Sequence, residues 1–446
     1  MNPTPGRYVT LRCEISQPRR PETPEPSRPQ GPGLPPFIVA CIGAFLLFSS
    51  LASAAEEWPQ FRGPNGQGIS DAHDLPAEWS ETKNIRWKTP VHGRAWSSPV
   101  VWHDYVWLTT ATEDGHQLSA LKINRESGEI VLDKVVFEIE KPQFCYPFNS
   151  YASSTPVIEE GRIYVHYGSH GTACLDTATG QTLWTRQDLP CNHHRGAGSS
   201  PVLFGDLVII NFDGFDVQYV VALDKRTGQT VWKRDRQIDY GTSDGDAKKA
   251  YSTPSLVEMS GKPLLISPSA GATIAYDPAS GDEVWRVRHG GMNAAAPPLI
   301  GRDLVYINTA DGGFREFAIR PEGAGDVTAD VRWKQQEMMP VRCAPLLVDD
   351  LLFMINEAGI MVCLDAETGE LIWRHRQGGK YSASPVYADG KIFFSSEEGD
   401  YPVIAAAHKY RPLATNHLDS GAMASPAIAG KAIFLRTKTH LYRIEK

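Results

Sequence analysis

A short Ser/Ala-rich tripeptide ending in proline recurs eight times, at Pro99, Pro156, Pro201, Pro254, Pro297, Pro345, Pro385 and Pro426. Self-similarity at a period of roughly 40–50 residues marks an array built from one supersecondary unit. One copy shows its parts. Ser199-Ser200-Pro201-Val202-Leu203 opens an apolar run, Gly205-Asp206 turns the chain, and Leu207-Val208-Ile209-Ile210 follows. Then come Val220 to Asp224, the turn Lys225-Arg226-Thr227-Gly228, and a run around Trp232. Short β-branched runs separated by Gly and Asp turns predict a four-stranded antiparallel meander. The Asp bonds the turn's own backbone, and the Gly takes positive φ without strain. The same hairpin recurs at Asp176…Gly180…Trp184, Asp277…Gly281…Trp285 and Asp365…Gly369…Trp373, with Asn124…Gly128 a weaker copy. Before Trp333, residues 321–330 replace the turn. A lone meander is marginal in water, so the copies are expected to stack radially and bury their faces.

The ends of the array predict how it closes. Asn84-Ile85-Arg86-Trp87-Lys88 reads as a Trp-bearing strand ahead of the first Ser-Ser-Pro, and the last copy stops at Leu441-Tyr442-Arg443-Ile444 without its Trp partner. The early strand can complete the late blade and remove an open edge. The expectation is an all-β, eight-bladed β-propeller of four-stranded antiparallel blades over residues 79–446, closed by an N-terminal strand. Residues 55–78 are an N-terminal extension. The recurrent tryptophans at one blade position read as packing residues.

This pattern resembles the pyrroloquinoline-quinone-type (PQQ-like) β-propeller repeat family, which includes PQQ alcohol dehydrogenases and the BamB outer-membrane assembly lipoprotein. The opening Trp58-Pro59-Gln60-Phe61-Arg62-Gly63-Pro64-Asn65-Gly66 is similar to the start of exported bacterial members. The resemblance implies the fold more strongly than any activity, because function lives in sites grafted on folds. In the dehydrogenases it implies a quinone held between a Trp and a disulfide of adjacent cysteines, with Ca²⁺ bound by Glu, Asn and Asp. This chain has no Cys-Cys dipeptide, and no residues map onto the Ca²⁺ ligands. No G-x-S-x-G, H-E-x-x-H or Walker loop is present. No cofactor is expected, with PQQ and Ca²⁺ as the alternative.

Residues 1–54 read as a Pro/Arg-rich leader plus a signal peptide: an apolar core over 34–51, then Ala52-Ser53-Ala54-Ala55. Cleavage is expected after Ala54 or Ala55. The competing reading is a retained anchor, although Pro35-Pro36 shortens an apolar stretch that only just reaches spanning length. Cys41 is followed by more apolar core, unlike a lipidation site. The expected location is therefore periplasmic or extracellular, with no integral span after cleavage. The formal net charge is −8 and no Lys/Arg run stands out, which argues against nucleic acid and anionic membrane as partners. The chain is expected to act as a monomer on a small ligand or an envelope protein.

Five cysteines follow the leader. Cys174 and Cys363 occupy a third-strand slot held by Ala in other copies, as small buried hydrophobes. Cys145 and Cys191 lie in consecutive loops, and an oxidising compartment would let them pair. Without C-x-x-C, zinc and redox motifs are absent.

Chemistry is expected where the loops before the prolines gather at one channel mouth. These loops collect Arg94, Trp96, His193, His194, Arg195, Tyr251, Arg342 and Tyr381. Such a rim suits an anionic or sugar-like ligand, with Arg195 and Arg342 as the expected anion anchors. The competing reading has both arginines tying down loops. Adjacent His193 and His194 diverge too much for a metal pair, so no metal is expected. The resulting expectation is an exported, non-enzymatic binding or scaffold propeller. The alternative is a quinone-dependent oxidoreductase, or another enzyme using the His/Arg rim.

Overall fold

The structure is a computed structural model that describes residues 56–446 apart from 260, 321 and 322. The expected leader and signal peptide lie outside these residues. Eight four-stranded meanders follow one another: blades 1 to 7 span residues 100–138, 157–186, 202–235, 255–288, 299–335, 346–376 and 386–417. Blade 8 takes three strands from residues 427–444 and its outermost strand from Ile85–Pro90. That strand pairs antiparallel with His440–Ile444, placing Thr89 opposite Leu441. The innermost strands of blades 8 and 1 abut, so the ring is closed. The propeller fold and its N-terminal closure are those the repeat predicts.

Two devices join neighbouring blades, and both account for the repeat. The residue before the repeat proline carries a hydroxyl in six of the eight copies, and these line up as an incomplete hydroxyl ring. Backbone N–H groups donate to the hydroxyl one blade on: Ser98 to Thr155, Thr155 to Ser200, Ser200 to Thr253, Ala344 to Ser384 and Ser384 to Ser425, each at 2.9 Å. Ala296 and Ala344 carry no hydroxyl, so the ring is interrupted around blades 5 and 6.

Farther out, six blades carry a Trp on the outermost strand, and five of these dock on the next blade's turn. The indole N–H groups of Trp87, Trp184, Trp232, Trp333 and Trp373 donate to the carbonyls of Arg125, Lys225, Pro278, Ala366 and Ala407, all at 3.0 Å. The turn glycine lies flat beneath the ring. A Cβ on Gly228, whose φ is +72°, would sit 2.7 Å from Trp184. Trp285 is the exception: its indole N–H is buried without a partner. Blade 5 replaces the docking turn, and its Gly325–Asp326 pairs in parallel with Trp285 and Arg286 as a fifth strand on blade 4.

The N-terminal extension crosses the ring. Trp58 exchanges backbone bonds with Val101 of blade 1, and Ile158 of blade 2 donates to the Pro59 carbonyl at 2.9 Å. Across the ring, Ile300 of blade 5 donates to Gln67 Oε1 at 2.8 Å, and Tyr387 of blade 7 donates to the Gly68 carbonyl. Arg62, 1% exposed, donates to the carbonyls of Gln67, Pro345 and Pro385. A segment bonded to blades on opposite sides of a ring must cross its axis. Residues 58–70 therefore plug the channel along its innermost strands. Gly63 lies under the Trp58 ring and Gly68 under the Arg62 guanidinium, with a Cβ at either 2.7 Å or less from those atoms.

Among the described residues no helix is long and apolar enough to cross a membrane.

Candidate functional site

Opposite the plug the channel opens as a cup of about 1040 Å³. Phe61 of the plug forms part of its lining. The hydroxyl ring supplies Ser98, Thr155, Ser200, Ser384 and Ser425 at the waist, and the mouth adds Trp96, Arg195, Tyr251 and Arg342. Two carboxylates also line it, Asp311 and Glu357. Asp311 Oδ2 accepts from Asn293 Nδ2 at 2.9 Å, and Glu357 Oε1 accepts from the backbone N–H groups of Val341 and Arg342.

An aromatic strap, Tyr146-Pro147-Phe148-Asn149, lies over the mouth. It leaves blade 1, and its Phe148 ring sits 4.6 Å from the guanidinium of Arg342, which precedes blade 6. The Trp96 indole donates to the Phe148 carbonyl at 3.0 Å, Arg94 donates to the Pro147 carbonyl, and Arg195 lies 5.9 Å from the Tyr146 ring. Both mouth arginines also have acidic neighbours. Arg195 is 3.5 Å from Asp246. Arg342 is 3.7 Å from Glu397 and donates to Ser382 at 3.0 Å. Arginines tied to a strap and to carboxylates differ from the free anion anchors expected from the sequence.

Four of the eight expected rim residues meet in the cup, namely Trp96, Arg195, Tyr251 and Arg342. The other four do not. Arg94 turns outward into a separate cavity beside Cys145. His193 is buried, its Nε2 accepts from the Ser169 N–H at 3.1 Å, and burial lowers its pKa to about 4. His194 packs between the rings of Phe144 and Phe215. Tyr381 is 1% exposed in the core between blades 6 and 7, and its backbone forms a bridge to Ser396. The expected Cys145–Cys191 disulfide is also corrected. Both are free thiols: Cys191 packs beside His193 and Gly214, while Cys145 faces the Arg195 carbonyl and Gly196.

Asp311 and Glu357 were missed from the loops before the prolines because they sit just after second strands. In an antiparallel blade, the turn between second and third strands opens on the same end as the loop entering the first. That alternation would have found them.

The family model described as outer membrane protein assembly factor BamB matches residues 87–258 and 216–446. The chain belongs to this PQQ-like β-propeller family. It is 24% identical over 204 residues to the BamB assembly factor of Legionella pneumophila (strain Paris), covering 46% of this chain and 49% of that one. It is 33% identical over 180 residues to the quinoprotein ethanol dehydrogenase of Pseudomonas putida, covering 35% of this chain and 26% of that one. The matches thus span about half of the first relative and about a quarter of the second. The crystal structure of BamB from Moraxella catarrhalis superposes with a TM-score of 0.57 at 13% identity, covering 81% of this chain and 99% of that chain.

The PQQ-like name raises the question of a quinone with Ca²⁺. A hard cation needs several convergent oxygen ligands. Among the described residues, no three His, Cys, Asp or Glu side chains converge. Asp311 and Glu357 each already commit an oxygen to a protein donor.

Proposed function

We propose that this chain is an exported, non-enzymatic binding propeller whose ligand occupies the cup. The observation that carries the reading is the cup itself: a cavity of about 1040 Å³, just above the range of about 300–1,000 Å³ usual for ligand sites, with the plug filling the channel beneath it. Aromatic faces and a few convergent polar groups line it, as in small-molecule sites. Export rests on the pattern over residues 34–55 and on the envelope role named in the family description.

A thermal-shift screen of the mature protein tests it. Any ligand that binds only the folded state raises Tm by mass action. A cup-filling Ala295→Trp variant, folded with a Tm near wild type, should lose that shift. Equal shifts in both proteins would overturn the reading.

A second reading, an envelope scaffold, is favoured by the exposed aromatic rings of Phe144, Tyr146, Phe148 and Phe215 around the mouth. Exposed aromatic patches mark contact sites. Cross-linking from Phe144 in envelope preparations should then capture one discrete partner, and its absence would remove the scaffold reading.

A further inference from the structure

We infer that the cup takes a neutral saccharide and not an organic anion. The inference rests on the reading of the cup as a ligand site and adds the ligand's chemical class. Three features of the lining carry it.

The first is charge. Two arginines and two carboxylates line the cup, so its formal charges cancel. Arg342 lies within 4 Å of Glu397, and Arg195 shares the Asp246 carboxylate with Lys249. An incoming anion would compete with Asp246 and Glu397 and would sit in the field of Asp311 and Glu357. A ligand without charge meets no such cost.

The second is the hydroxyl ring. Thr155, Ser200, Ser384 and Ser425 all line the cup, and each side-chain oxygen accepts a backbone N–H from the preceding blade. A hydroxyl has one proton to donate besides its two lone pairs. Among the described residues, none of these four protons goes to a protein acceptor. The ring therefore offers an array of O–H donors. Across the cup, Asp311 and Glu357 each keep an oxygen outside the bonds described above, as an acceptor. A polyol is the ligand class whose every polar group both donates and accepts. An organic acid satisfies the donors and faces the carboxylates unpaired. A purely apolar ligand leaves both sets dry and unmatched, which is costly for buried polar groups.

The third is the aromatic lining. Trp96, Tyr146 and Phe148 at the mouth and Phe61 from the plug line the cup with aromatic rings around the polar waist, and Arg94, Arg195 and Arg342 each take up one side of a mouth ring. A sugar ring has apolar C–H faces and a polar edge, matching this division.

The test is isothermal titration of the mature protein with neutral trisaccharides (maltotriose, cellotriose and chitotriose) and with acids (citrate, phthalate and trigalacturonate). A neutral saccharide is expected to bind with an affinity unchanged between low and high salt, because no ion pair forms. Phe148→Ala and Asp311→Asn should each weaken binding about tenfold while Tm holds. Ala295→Trp should abolish it. Salt-sensitive binding of acids alone, blocked by Ala295→Trp, would overturn the saccharide class and leave the cup as a ligand site. Saccharide binding that survives Ala295→Trp would overturn both readings. Binding by neither panel would overturn the saccharide class.

Discussion

The two ends of the channel are made by the same eight strands and end up as opposites. At the plugged end, residues 58–70 fill the axis with the buried Trp58 ring and the Arg62 guanidinium; the Arg62 terminal nitrogens donate to the carbonyls of Pro345 and Pro385, while Arg62 Nε and the Trp58 indole N–H are buried without a partner among the described residues. At the open end, arginines, carboxylates and aromatic rings stand around an unfilled cup. The repeat provides ring and waist to both ends. What differs is the segment added: an extension that fills the axis at one end, and loops with an aromatic strap that leave a cup open at the other. A propeller thus separates its stability from its site by end, with the hydroxyl ring as the boundary.

This contrast makes predictions of decreasing size. Trp58→Ala should be the most damaging point change, costing about 3–5 kcal/mol in denaturant unfolding, as for large aromatic residues removed from cores. A loss near zero would mean that the plug decorates a ring already stable without it.

Next comes a pH effect beneath the rim. Glu316 is fully buried, its Oε2 accepts from Asn308, and burial raises its pKa to about 8 from 4.5. The folded protein thus keeps a proton that the unfolded chain has lost. That contribution is complete below about pH 4.5 and is lost as pH rises through about 8. Glu316→Gln keeps the Asn308 bond and should flatten the fall in urea midpoint over that window. Parallel wild-type and variant curves would show that Glu316 is not the group responsible.

At the boundary, Ser200→Ala strands the buried Thr155 N–H and should cost about 1–3 kcal/mol. No change in stability would show that the ring is dispensable, as its gaps at Ala296 and Ala344 already hint for blades 5 and 6.

The smallest effect belongs to the mouth. Arg195→Ala and Arg342→Ala remove half-exposed ion pairs and should change stability by less than about 1 kcal/mol. Losses well above that would make the open end structural too and erase the contrast between the ends.

The eight proline tripeptides, the Asp…Gly…Trp hairpins and the stray strand at Asn84 to Lys88 were enough to read the ring and its closure. Those features act locally: a turn needs its Gly, a meander needs its alternation, and a ring needs its last edge paired. The missing turn before Trp333 was also legible, and the structure gives its consequence in the unpartnered Trp285 indole. The site was legible only in half. Trp96, Arg195, Tyr251 and Arg342 meet in the cup, whereas His193, His194, Arg94 and Tyr381 share the same kind of loop and turn elsewhere. Loop position sets where a residue's backbone lies, but side-chain direction depends on neighbours far away in sequence. Phe148 beside Arg342, Asp246 beside Arg195 and the Trp58–Gly66 segment across the axis are such neighbours. Only closure of the ring brings them within reach, so the fold was written in the repeat and the chemistry of the mouth was decided by tertiary structure.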